Sequence, residues 1–143
     1  MKTSATRRFV LDASVAVAWC FEDESTALTE DVLDSLSAGS EAVVPAVWPL
    51  EVANALLVAE RRKRLTIAQV TGQLRRIAAL PISVMPVAPA YTFEQVLPIA
   101  RQEKLSSYDA AYMQLALREA LPLATLDADL RRAAKANGVT VLS

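Results

Sequence analysis

Apolar residues fall along this chain in two alternating patterns, short unbroken runs and longer stretches in which they recur every three or four positions. The short runs are Phe9 to Leu11, Ala42 to Val44, Ile82 to Val87, Leu123 to Leu126 and Val139 to Leu142. Their length and apolar content predict strands, the first of them buried and the third ending at Pro86 near a sheet margin. Between them the spacing predicts helices. The first follows Asp12, with Ser14 as its cap and Val15, Trp19 and Phe21 as its stripe. The next runs from Glu24 to Ala38 on Ala27, Leu28, Val32 and Leu36, and Gly39 stops it. Pro49 suits the first turn of a helix carried by Leu50, Ala53, Leu57 and Val58, and Thr66 caps one carried by Val70, Leu74 and Ile77. Further helices are predicted over Glu94 to Glu103, where Pro98 blurs the start, over Tyr108 to Ala120, and over Asp127 to Asn137 before Gly138. Strands alternating with helices imply an α/β domain with a mostly parallel sheet, and residues 1–143 read as one domain.

Composition adds a boundary to this picture. An apolar fraction of 53% leaves apolar surface after the core is filled, which points to a homodimer or a hydrophobic partner. The longest uncharged stretch, Ile77 to Phe93, is broken by Pro81, Pro86 and Pro89, so no membrane span is expected. The basic start, Met1 to Arg8, leads into an apolar segment interrupted by Asp12 and lacks the pattern of a secretory signal, making cytoplasmic residence the expectation. Cys20 is the single cysteine and lies in an apolar helical run, so it reads as buried. The net charge of −1 hides clustering of bases at Arg7 and Arg8, Arg61 to Arg64, Arg75 and Arg76, and Arg131, Arg132 and Lys135. Such clusters ordinarily complement helix C-termini. They suggest phosphate binding only if they flank an acidic crevice.

Four acids stand where a strand gives way to a helix: Asp12, Glu51, Asp109 and Asp127. In an open α/β sheet those positions line one crevice. Carboxylates gathered there repel one another unless a cation, protonation or bases offset the charge. With no histidine in the chain, oxygen-ligand chemistry with Mg²⁺ or Mn²⁺ is the expected solution, and such a site can hydrolyse a phosphodiester with metal-activated water. Each acid viewed alone has an ordinary alternative as a helix cap or first-turn acid, and Asp129 reads that way. A phosphoacceptor domain also places acids at strand ends, but it would carry paired acids on the first strand and a lysine after a late one, which this chain lacks.

The segments Val10-Leu11-Asp12-Ala13-Ser14, Pro49 to Leu56, Leu105 to Tyr112 and Ala124 to Leu130 resemble, in order, the motifs of a PIN domain, specifically a VapC-type toxin. The resemblance implies a PIN-like three-layer fold with a mostly parallel sheet of four to five strands flanked by helices. It also implies a Mg²⁺- or Mn²⁺-dependent endoribonuclease, a homodimer, and a cognate antitoxin whose C-terminal segment blocks the site. Carried across, the acidic quartet falls on Asp12, Glu51, Asp109 and Asp127, with Ser14, Asn54 and Thr125 as positions supporting the acids or the substrate. In the resulting expectation Asp12, Asp109 and Asp127 hold the metal, Glu51 completes the site, and Arg61, Arg62 or Arg64 position RNA. A non-catalytic PIN-like module that binds RNA or a partner is the alternative.

Overall fold

A computed structural model of the chain describes residues 7–143, so most of the basic start noted above lies outside the described residues. Strands β1 (Arg8–Leu11), β2 (Glu41–Pro45), β3 (Ile82–Met85) and β4 (Leu123–Ala124) form a parallel sheet in the order β3-β2-β1-β4. In the central strand β1 Phe9, Val10 and Leu11 are fully buried, as are Ala42, Val43 and Val44 of the neighbouring β2, as strands covered on both faces require. At the far side Val141 makes a single parallel bridge to Leu123. The predicted fifth strand is therefore one bridge, and the predicted fourth ends at Ala124 because Thr125 turns away to serve another purpose.

The connecting helices are α1 (Ala13–Ala18), α2 (Ala27–Ser37), α3 (Trp48–Arg61), α4 (Ile67–Ala78), α5 (Pro89–Tyr91), α6 (Leu97–Glu103), α7 (Ser107–Glu119) and α8 (Ala128–Ala136). Helix α7 packs on β1, β2 and β4 and against α6 and α8, while α3 packs on α1 and α4. Alanine-rich α7 can lie this close to the sheet because Ala110, Tyr112, Met113, Leu115 and Ala116 are all buried. No helix among the described residues is long and apolar enough to cross a membrane.

Local chemistry accounts for where the helices begin. Thr66 accepts the amide of Gln69, whose side chain accepts the amide of Thr66 in return, a reciprocal cap. Thr26 and Thr29 cap α2 in the same way, which starts that helix at Ala27 instead of Glu24; Glu22–Glu24 forms a separate 3₁₀ turn. Ahead of α6 the chain is already helical from Pro89, earlier than predicted. Thr92–Val96 forms a wide π turn in which Leu97 N–H reaches back to the Thr92 carbonyl. Pro98 has no N–H to bond the turn before it, and a widened turn at that point accommodates the gap. Cys20 is buried, and its thiol is pushed up to about 11 by burial, as expected of an inert side chain.

Candidate active site

All four strands run the same way, so their carboxyl ends share one edge, and the central strand delivers Asp12 to the middle of it. Pairing of β1 with β4 places the segment after Ala124 alongside, with Asp12 N–H bonded to the Ala124 carbonyl at 2.9 Å. Two hydroxyls then fix the Asp12 carboxylate. Thr125 and Ser14 each donate to Oδ2 at 2.7 Å. Each hydroxyl also accepts an amide from the same turn, Thr125 from Asp127 N–H and Ser14 from Leu126 N–H, both at 3.0 Å. Ser14 is thus not the predicted cap. Asp12 occupies the N-cap position of α1 without a side-chain cap bond, which leaves Ser14 free to tie Asp12 to the β4 turn.

Asp127 combines both readings given to it. It caps α8, with Oδ2 accepting Leu130 N–H at 2.8 Å, and it stands one residue past the turn held to Asp12. Asp109 lies in the first turn of α7, where Ser106 is the cap accepting the Asp109 amide at 3.1 Å. Glu51 lies in the first turn of α3, beyond the end of β2. Its carboxylate accepts a short hydrogen bond from the hydroxyl of Tyr112, a fully buried side chain one helical turn after Asp109 on α7. Tyr112 escaped the sequence reading because in an alanine- and leucine-rich helix it passes for core. The signal was its spacing of three from Asp109, which places both on one face.

The electrostatics show that the acids share a space. Burial is the largest influence on Asp109, and the charges of Asp12, Asp127 and Glu51 add to it, pushing its carboxyl up to about 6. Burial also raises Asp12 against the opposing effect of the Ser14 and Thr125 hydroxyls, and Asp127 adds to the rise. Glu51 is raised by burial, opposed by Tyr112, with Asp12 again unfavourable. Burial and the Glu51 charge push the Tyr112 hydroxyl far up, so it remains a donor. Among the described residues, no three acids converge tightly enough to form a complete ligand set by themselves. An oxygen-only donor set of this kind fits a hard divalent cation that keeps several of its waters.

Two expectations fare differently. Asn54 is exposed one turn after Glu51 and, among the described residues, hydrogen-bonds to none of the four acids. The Arg61 to Arg64 run sits at the opposite end of α3 from Glu51, roughly 15 Å along the axis. Arg64 is engaged there by Asp23 and Glu24 and lies 4.2 Å from the centre of the Phe21 ring, so this cluster does not flank the acids.

A protein-family model described as the PIN domain matches residues 9–136, a span that contains every one of these acids. The chain belongs to the PIN domain family. No curated protein matches it. Among solved structures, the PIN chain is similar to PAE2754 from Pyrobaculum aerophilum at a TM-score of 0.71 and 22% identity, covering 96% of this chain and 84% of that one. It is similar to VapBC2 from Rickettsia felis, bound to a DNA fragment from their promoter, at 0.64 and 12%, covering 95% and 97%. It is also similar to FitAcB from Neisseria gonorrhoeae at 0.54 and 17%, covering 94% and 96%. These likenesses establish the PIN fold, a parallel sheet flanked by helices.

Proposed function

We propose that this chain, acting as one PIN domain, is a divalent-metal-dependent endoribonuclease and the toxin of a toxin–antitoxin pair in the cytoplasm. The observation that carries the reading is the mutual influence of Asp109, Asp12, Asp127 and Glu51 at the carboxyl edge of the sheet. PIN domains are nucleases, and the similar structures include VapBC2 from Rickettsia felis and a toxin–antitoxin complex from Klebsiella pneumoniae. Exposed Leu50, Ile67 and Phe93 support partner surfaces for an antitoxin and a second copy of the chain.

In this reading Asp12, Asp109 and Asp127 hold Mg²⁺ or Mn²⁺, and Glu51 completes the site or orients the attacking water. A bound cation offsets the charge on the scissile phosphate and makes water a competent nucleophile near neutral pH. The protein's own contributions are positional. Thr125 and Ser14 hold Asp12 in one orientation, and Tyr112 holds Glu51. Ser14 acts here as a positioning group, donating to Asp12 and accepting from Leu126 N–H, and there is no histidine to activate it as a nucleophile.

The test is cleavage of a panel of structured RNAs by the protein freed of antitoxin, with Mg²⁺, Mn²⁺ or chelator. Cleavage by the wild type that chelator abolishes and Asp12→Asn or Asp109→Asn reduces by at least about a hundredfold is expected. RNA that is retained but never cut would instead identify a binding module.

A further inference from the structure

Beyond the ends of β2 and β3, on the same sheet edge as the acids, the chain forms a half-open cavity of about 280 Å³. That is close to the lower end of small-molecule pockets, roughly 300 Å³, and it suits one planar ring system. Its walls are mostly apolar, with Val47, Met85 and Val96 among them, and the polar groups on it are few. Two connections join it to the acids. Val47 accepts the amide of Glu51 at 3.0 Å, and Ser107 and Tyr108 immediately precede Asp109. Adjacent strands lie about 4.8 Å apart, so a cavity beyond β2 and β3 begins roughly one or two strand spacings from Asp12 at the end of β1.

The polar groups are arranged for recognition. Gln114 is only 9% exposed, and its amide nitrogen donates to the Tyr91 hydroxyl at 2.5 Å. Its carbonyl oxygen has no hydrogen-bond partner among the described residues, although a primary amide can donate twice and accept twice. Arg118 also lines the cavity, 5.3 Å from the centre of the Tyr91 ring, and is paired with Glu119, so it adds a positive charge to the wall that carries Tyr91. At the mouth Tyr108 is 59% exposed, an aromatic face in water beside an acid that the proposed reaction uses.

We propose that this cavity is a nucleobase pocket: a base flanking the scissile phosphate stacks on Tyr108 and is read by the Gln114 amide. The inference rests on the nuclease reading above for the meaning of the scissile phosphate. A ring system with hydrogen-bonding edges matches an apolar slot that contains one under-used amide, and stacking on an aromatic side chain tolerates any base while the amide discriminates. The same edge of the sheet would then hold phosphate at the acids and a base beside them.

The test uses short RNAs that differ only at single positions flanking the cut, including an abasic version of each. At one flanking position a preference of about tenfold or more in kcat/KM is expected, with the abasic substrate among the poor ones. Gln114→Leu should reduce that preference to within about threefold, and Tyr108→Ala should weaken binding of the intact RNA by about tenfold. Melting curves check that both variants are folded, and Tyr91→Phe, which keeps the ring and deletes the hydroxyl bonded to Gln114, supplies a conservative second variant with a partial loss of preference. Equal rates for abasic and intact substrates at every flanking position would overturn the pocket. So would a preference that survives Gln114→Leu, or a Gln114→Leu effect confined to self-association, which would assign the face to a second copy of the chain. Should the wild type cut no RNA at all, an RNA bearing 4-thiouracil gives an independent reading. Photocrosslinking to Tyr91 or Tyr108 keeps the base pocket while the nuclease reading falls, and crosslinking elsewhere or nowhere removes the pocket.

Discussion

Thr125 has no exposed surface, and its single hydroxyl both donates to Asp12 and accepts the amide of Asp127. Valine has nearly the same shape and can do neither. Thr125→Val is therefore expected to cost about 2 kcal/mol, read as a Tm lower by roughly 5–10 °C, since it removes one of the two hydroxyls on the buried Asp12 carboxylate and leaves the part-buried Asp127 amide without its partner. Ser14 makes the equivalent pair of bonds from a half-buried position where water can substitute, so Ser14→Ala should cost less in the same melting experiment. Equal or negligible losses would mean that the two hydroxyls do not hold the site. Tyr112 acts on Glu51 by the same logic. Tyr112→Phe keeps the ring in the core and removes the donor that lowers the Glu51 carboxyl. The acid limb of the rate profile should move to higher pH and the apparent metal affinity should fall by about 10- to 100-fold, as outer-shell losses do. A profile unchanged in position would reduce Tyr112 to a packing residue.

At the scale of elements, helix α8 and the C-terminal strand remnant act on the site through one side chain. Arg131 donates to the Thr125 carbonyl at 3.1 Å and to the Leu142 carbonyl at 3.3 Å, pinning the turn that carries Thr125 and Asp127 to the end of the chain. Arg131→Met, which keeps much of the stem and deletes both bonds, should lower the Tm by a few degrees and reduce cleavage more through weaker metal binding than through loss of RNA binding. RNA affinity falling first would make Arg131 a phosphate contact. These elements were unequally legible in the sequence. Phe9 to Leu11 and Ala42 to Val44 stood out because strands buried on both faces cannot carry polar residues, and Thr66 stood out as a hydroxyl just ahead of the helical stripe Val70, Leu74 and Ile77. The end of β4 did not, because β-branched Thr125 and apolar Leu126 extend the run begun by Leu123 and Ala124 while the backbone has already left the sheet. The basic run after α3 misled in the opposite direction. Its charge was plain, but whether a helix C-terminus lies near a site depends on which way the helix runs from the sheet, and α3 carries Arg61 to Arg64 away from the edge that holds Glu51. Tyr112 was hidden because the sequence shows a residue's spacing but not which of two buried faces, core or cleft, its hydroxyl meets.

For the whole molecule the consequence of gathering acids is a dependence on pH that runs against the usual one. Carboxylates in ion pairs have lowered pKa values and are lost as stabilisers on acidification. Here Asp109 is raised from 3.8 to about 6, and Asp12 and Glu51 are raised as well, so the folded protein binds protons more tightly than the unfolded chain does. Their contribution to stability is fully present below about pH 4 and disappears as pH rises through about 6. In chelator, Asp109→Asn should therefore melt above the wild type at pH 7.5, by about 3 °C once the partial exposure of Asp109 is allowed for, and the gap should close towards pH 4. A divalent cation needs the same acids ionised and competes with protons for them. The stabilisation on adding Mn²⁺, read as a gain in Tm, should accordingly be small at pH 5, grow through pH 6 and level off above 7, where it corresponds to about 2.7 kcal/mol at a hundred times the dissociation constant. Asp109→Asn should abolish most of that gain. A Mn²⁺ effect that is flat from pH 5 to 8, or equal in wild type and variant, would place the cation somewhere other than among these acids, and the cleavage proposed for this cleft would lose its physical basis.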